Sequence, residues 1–106
     1  MTKTRLIALA DLSDATPARV TIDGRPLCAV RLGDRVLVVD DTCTHATASL
    51  SEGVVDEDDC TIECPLHGSL FSLETGEALT LPATRPVAVH PVTIEGGDAF
   101  VDLPIE

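Results

Sequence analysis

Short apolar runs alternate with polar turn residues along the whole chain, and the run lengths predict strands. Arg5-Leu6-Ile7-Ala8-Leu9 reads as a first strand, followed by a polar loop through Ser13, Asp14 and Pro17. Arg19 to Asp23 and Leu27 to Leu32 read as two strands joined around Asp23-Gly24, a strong hairpin signal. Gly33-Asp34 turns the chain into Arg35-Val36-Leu37-Val38-Val39-Asp40, and Asp40-Asp41 ends that strand. Residues 46 to 59 read as loop, with Ser49, Ser51, Gly53 and the run Asp56-Glu57-Asp58-Asp59. Cys60 to Glu63 reads as a short strand and Ser69 to Leu73 as another, closed by a turn at Glu74-Thr75-Gly76-Glu77. After the proline-containing stretch Leu81 to Pro86, Val87 to Glu95 and Ala99 to Leu103 form a last hairpin through Gly96-Gly97-Asp98. Dense β-branched runs with regular turn signals predict an antiparallel sandwich or barrel. No repeat, low-complexity tract or linker interrupts them, so residues 1–106 are expected to form one domain.

Composition narrows this picture. Apolar residues make up 44% of the chain, yet Trp and Tyr are absent and Phe occurs twice, so the core is expected to be aliphatic. For a core this small, metal-site binding energy adds usefully to folding energy. Met1 to Leu12 carries Lys3 and Arg5 but no apolar region long enough for a signal peptide, and no stretch approaches the ~20 apolar residues of a membrane span. A soluble, cytoplasmic protein is the expectation. Four cysteines would allow two disulfides in a secreted chain; without an export signal, metal binding is the better reading.

The chemistry concentrates in two short boxes. Cys43-Thr44-His45 and Cys64-Pro65-Leu66-His67 hold two of the four cysteines and two of the three histidines, separated by an 18-residue spacer. Each box offers one thiol and one imidazole, and together they read as a metal site. A tetrahedral Cys2His2 zinc site accepts the same four ligands. Zinc fingers, however, usually pair Cys with Cys and His with His, with the histidines on a helix, whereas the residues after His67 read as a strand.

The pattern C-x-H…C-x-x-H resembles the signature of Rieske [2Fe–2S] proteins, in which two thiolates hold one iron and two imidazoles the other. The resemblance implies Cys43 and Cys64 on one iron and His45 and His67 on the other. It also implies an all-β fold: a Rieske-like antiparallel β sandwich or barrel with an inserted cluster-binding subdomain. That subdomain would span about residues 41–85, within a basal domain formed by 1–40 and 86–106. Leu81 to Pro86 is similar to the proline loop that covers the cluster in this family. The spacer is slightly longer than the family's usual one. Ala48 and Leu66 stand where the high-potential branch has cysteines that bridge the loops, Ser69 is retained, and Phe71 replaces a tyrosine that hydrogen-bonds sulfur. Losing that donor implies a potential near the low end of the Rieske range, roughly −150 mV rather than +300 mV.

Low-potential soluble Rieske ferredoxins pass single electrons from a flavin-dependent reductase to the terminal oxygenase of bacterial ring-hydroxylating dioxygenase systems. The resemblance implies that role here: an electron-transfer component with one [2Fe–2S] cluster per chain, not an enzyme. It further implies that the outer ring nitrogens of His45 and His67 face solvent and offer an electron exit. The small Rieske-like subunit of an assimilatory nitrite reductase is an alternative, although that subunit often lacks the ligands. A Cys2His2 zinc interaction module is another.

Charge agrees with a protein partner. The formal net charge is −11, and all seven basic residues (Lys3, Arg5, Arg19, Arg25, Arg31, Arg35, Arg85) lie outside positions 36–84. That window holds ten acids: Asp40, Asp41, Glu52, Asp56, Glu57, Asp58, Asp59, Glu63, Glu74 and Glu77. An acidic cluster-bearing half would be steered toward basic patches on redox partners, and the same sign disfavours nucleic acid. Cys28, inside an apolar strand, reads as a buried small hydrophobe; Cys60 reads as structural, and His90 as a strand residue, not a ligand. Gly68 and Gly76 read as backbone-geometry positions.

Overall fold

The run Leu27-Cys28-Ala29-Val30 has no polar member because both of its faces are buried; all four residues are fully inaccessible. It belongs to a computed structural model that describes residues 2–44, 48–66, 68–81 and 83–103. Expectations that fall on His45, Ala46, Thr47, His67 and Pro82 lie outside the described residues.

Among the described residues, strands build three antiparallel sheets. The central sheet takes the order β2 (Ala18–Ile22), β3 (Arg25–Leu32), β4 (Arg35–Asp40) and β8 (Val89–His90). A second sheet pairs β1 (Thr2–Ala8) with β10 (Asp98–Leu103) and β10 with β9 (Val92–Glu95). The third is a meander of three short strands, β5 (Val54–Asp56), β6 (Thr61–Glu63) and β7 (Leu70–Ser72). The all-β expectation holds, and the only helical turns described are two three-residue 3-10 segments, Leu9–Asp11 and Leu50–Glu52. No helix among the described residues is long and apolar enough to cross a membrane.

Strand alternation sends the central sheet's residues into two cores. Leu27, Ala29, Val36 and Val38 join Leu6, Ala99, Val101 and Leu103 against the β1–β10–β9 sheet. Cys28, Val30 and Val39 point the other way, into a core shared with Ile62 and Phe71 of the third sheet and Leu73 just after it. The first core is wholly aliphatic, and the second adds Phe71, fully buried, and the four cysteines to its aliphatic side chains. The β2–β3 turn places Asp23 at φ 51° and Gly24 at φ 79°, the two positive values that a type I′ hairpin requires.

Three local expectations are corrected. Val87 to Glu95 is not one strand: Pro91 divides it, so β8 pairs with β4 while β9 pairs with β10. Proline has no N–H for a ladder, and here its carbonyl alone is used, accepting from Asp102 N–H at 3.0 Å. Residues 46 to 59 are not all loop, since β5 forms the edge of the third sheet, Val55 opposite Ile62. Cys60 does not start β6; it ends the preceding turn at φ 56°, and its carbonyl accepts from Leu73 N–H at 2.9 Å.

Candidate metal centre

Two loops of matched construction carry the Cys/His boxes. Cys43 N–H donates to the Ala48 carbonyl at 2.9 Å, and Cys64 N–H donates to the Ser69 carbonyl at 2.8 Å. Each cysteine thus opens a loop that closes on the carbonyl five residues later. Thr42 lies opposite Ser49 at the base of the first loop, and Leu50 N–H donates to the Asp41 carbonyl at 2.7 Å. The second loop is tightened by Gly68 N–H on the Cys64 carbonyl at 3.0 Å. Gly68 has φ 75°, a left-handed value that suits glycine and would strain another residue.

Both loop cysteines point inward, Cys43 4% and Cys64 1% exposed, at the top of the core shared by the central and third sheets. No disulfide involves any of the four cysteines. Cys28 lies in the same core, fully buried; burial first, and then the negative charge of Asp41, push its thiol up to about 12. It is an inert small hydrophobe, as its strand position implied. The Cys60 thiol is also pushed up, by burial and then by Glu74, with Arg35 acting in the opposite sense. His90 is buried, and its Nε2 lies 2.8 Å from Asp40 Oδ1 on the neighbouring strand.

The segment after Leu81 is bonded to both loops. Thr44 Oγ1 donates to the Arg85 carbonyl at 2.7 Å, and Ala83 N–H donates to Ser69 Oγ at 3.1 Å. Ser69 is completely buried, and because its oxygen accepts from Ala83 its own proton remains available to a further acceptor. A surface cavity of about 370 Å³ lies between the loops, lined by Ala48, Ser49, Glu52, Pro65 and Leu66. Leu66, on its rim, is exposed, as is Leu81 at the start of the segment bonded to both loops.

One functional candidate escaped the sequence reading. Asp41, counted there among the acids of an outer surface, is 2% exposed. Its carboxylate accepts from Ser51 N–H at 2.8 Å and from the Ser49 hydroxyl, and Arg19 Nε lies 3.7 Å away. The available signal was weak: an Asp two residues before a cysteine, followed by two serines that could close over it.

The family described as Rieske [2Fe–2S] domain matches residues 2–91. The chain belongs to that family. The ferredoxin of carbazole 1,9a-dioxygenase from Nocardioides aromaticivorans IC177 has a similar fold, with a TM-score of 0.91 at 35% identity over 95% of this chain and 97% of that one. The complex of reduced oxygenase and oxidized ferredoxin in carbazole 1,9a-dioxygenase contains another similar chain. It gives a TM-score of 0.85 at 40% identity over 93% of this chain and 91% of that one. Among curated proteins, the ferredoxin subunit of 3-phenylpropionate/cinnamic acid dioxygenase from Shigella flexneri is 47% identical over 97 residues, 91% of this chain and 89% of the relative.

As a Rieske domain the chain carries one [2Fe–2S] cluster. The described residues fit that group. Two buried thiols outside any disulfide open neighbouring loops, with apolar Ala83 buried nearby and a buried hydroxyl, Ser69, with a proton to donate. When bound, such a cluster supplies reversible one-electron transfer. The chain's part is to hold the two loops at a fixed spacing, keep water from the thiolates, and offer hydrogen-bond donors that bias the charge state.

Proposed function

We propose that Cys43, His45, Cys64 and His67 hold the cluster, the thiolates on one iron and the imidazoles on the other. The chain is an electron carrier, the ferredoxin component of an aromatic-ring dioxygenase system, and has no oxygenase chemistry of its own. Its electrons come from a flavin-dependent ferredoxin reductase and go to a terminal ring-hydroxylating oxygenase. The observation that carries this reading is the pair of matched loops, each opened by a buried cysteine. The relatives' names support it: they are ferredoxin subunits of dioxygenases, and one is seen with its oxygenase. Those names favour this role over a nitrite reductase subunit.

Residues of about 41–85 act as the cluster-bearing insertion, in a basal domain formed by 1–40 and 86–106. The third sheet lies wholly inside that range, between and beside the two boxes. The exposed apolar tip at Leu66 and Leu81 meets the partner, and the acids at Glu52, Asp56, Glu57, Asp58, Asp59 and Glu63 steer the approach. The working compartment is the cytoplasm. Reconstitution tests the role: with a dioxygenase reductase and oxygenase, the loaded protein should couple NADH oxidation to substrate dihydroxylation. Reduction by no such reductase, together with a zinc-only metal content, would overturn it.

A further inference from the structure

We propose that Asp41 is a positioning residue for the cluster, clamping the first cysteine loop at its base and holding the reduction potential down by its fixed negative charge. This rests on the reading of Cys43 as a ligand.

The clamp follows from the origin of the donors. Ser49 and Ser51 lie on the limb that returns from the loop opened by Cys43, whereas Asp41 lies on the limb that enters it. The carboxylate therefore bridges the two limbs beside the backbone bonds from Cys43 to Ala48 and from Leu50 to Asp41. Arg19, on β2, adds its guanidinium from the outer side at 3.7 Å, with its side chain 58% exposed.

A clamp alone does not call for a charge. An Asn side chain would accept from Ser51 N–H and bond the Ser49 hydroxyl without the desolvation cost of a buried carboxylate. The charge has a target, however. Two trans peptides limit the Cα separation of Asp41 and Cys43 to about 7 Å, and both side chains are buried. The carboxylate's field is already felt in this core, since it contributes to raising the thiol of Cys28, which packs with Cys43 and Cys64. Reduction adds a negative charge to the same core. Asp41 opposes it, and Arg19 offsets part of that opposition, weakened by its exposure to solvent.

Redox titration of loaded variants separates charge from clamp. Asp41→Asn should keep the wild-type EPR signal and make reduction about tenfold more favourable, ~59 mV upward for a one-electron couple. Arg19→Gln, a surface change, should shift the potential downward by a smaller amount. Ser49→Ala should lower thermal stability and leave the potential in place. A loaded Asp41→Asn protein with the wild-type potential would overturn the proposal. Should that variant fail to load, an unmoved potential in Arg19→Gln would overturn it instead. Failure of the ligand reading is seen separately, as a Cys43→Ser protein that keeps the wild-type cluster signal.

Discussion

Ser69 and Ala83 are joined by a buried hydrogen bond, the Ala83 N–H donating to Ser69 Oγ at 3.1 Å. One hydroxyl thus anchors the segment after Leu81 to the second cysteine loop, and its proton stays available to a further acceptor. Ser69→Ala leaves the Ala83 N–H buried without its acceptor, which costs about 1–3 kcal/mol. It also removes a donor whose bond to a cluster sulfur would favour the reduced state. The expected result is a lower melting temperature together with a lower potential. A lower melting temperature with an unchanged potential would show that the hydroxyl serves the segment alone.

Gly76 closes the turn after β7. It has φ 77°, and a Cβ there would lie 2.1 Å from the Val87 carbonyl oxygen, which must then move. Gly76 also exchanges backbone bonds on both sides, donating to Ser72 and accepting from Val87, each at 2.8–2.9 Å. Gly76→Ala should therefore destabilise by about 2–5 kcal/mol, the sum of a left-handed penalty and overpacking. Chemical denaturation measures this; a loss below about 1 kcal/mol would mean that the turn adjusts freely.

Cys28 gives the fold an alkaline weakness. Its thiol ionises near 9 in the unfolded chain and is pushed up to about 12 in the folded one. A raised folded value means that the native state holds the proton more tightly. That stability is fully present below about pH 9 and is lost as pH climbs from there toward about 12. Wild type should lose stability between pH 9 and 11 more steeply than Cys28→Ala, with no such difference in slope between pH 6 and 8. Equal slopes in the alkaline range would contradict the burial of an un-ionised thiol.

Much of this architecture was legible because its signals are local. Asp23-Gly24 and Gly33-Asp34 fix two hairpins by turn geometry, and the Leu27 to Val30 run announces a strand with both faces buried. The C-x-H and C-x-x-H boxes singled out Cys43 and Cys64 by spacing alone, and the structure gives these two cysteines equivalent loops. What stayed hidden depends on partners distant in sequence. Val54 to Asp56 becomes a strand because β6 is there to pair with it, and nothing in Gly53-Val54-Val55 beside four acids required that. Pro91 was read through, although its missing N–H is where the chain passes from one sheet to another. Asp41 looked like the surface acid that Asp at a strand end usually is; its burial requires Ser49 and Ser51 folded back over it.

Charge makes a prediction about rates. With a formal net charge of −11 and its acids concentrated in residues 36–84, the loaded protein should accept electrons from a basic reductase surface more slowly as salt rises. Raising ionic strength from about 0.01 M to 0.15 M shortens the Debye length from about 30 Å to 8 Å. The second-order rate constant should fall steeply over that range. A rate constant flat with salt would remove electrostatic steering from the account.

The central claim is a mixed-ligand cluster held by Cys43, His45, Cys64 and His67. Low-temperature EPR of the dithionite-reduced protein tests it most directly, with iron, sulfide and zinc measured on the same sample and on His67→Cys. The account predicts two irons and two sulfides per chain, the rhombic signal of a His/Cys cluster in wild type, and loss of that signal in His67→Cys. A colourless, EPR-silent protein with one zinc, or an unchanged signal in His67→Cys, would contradict it.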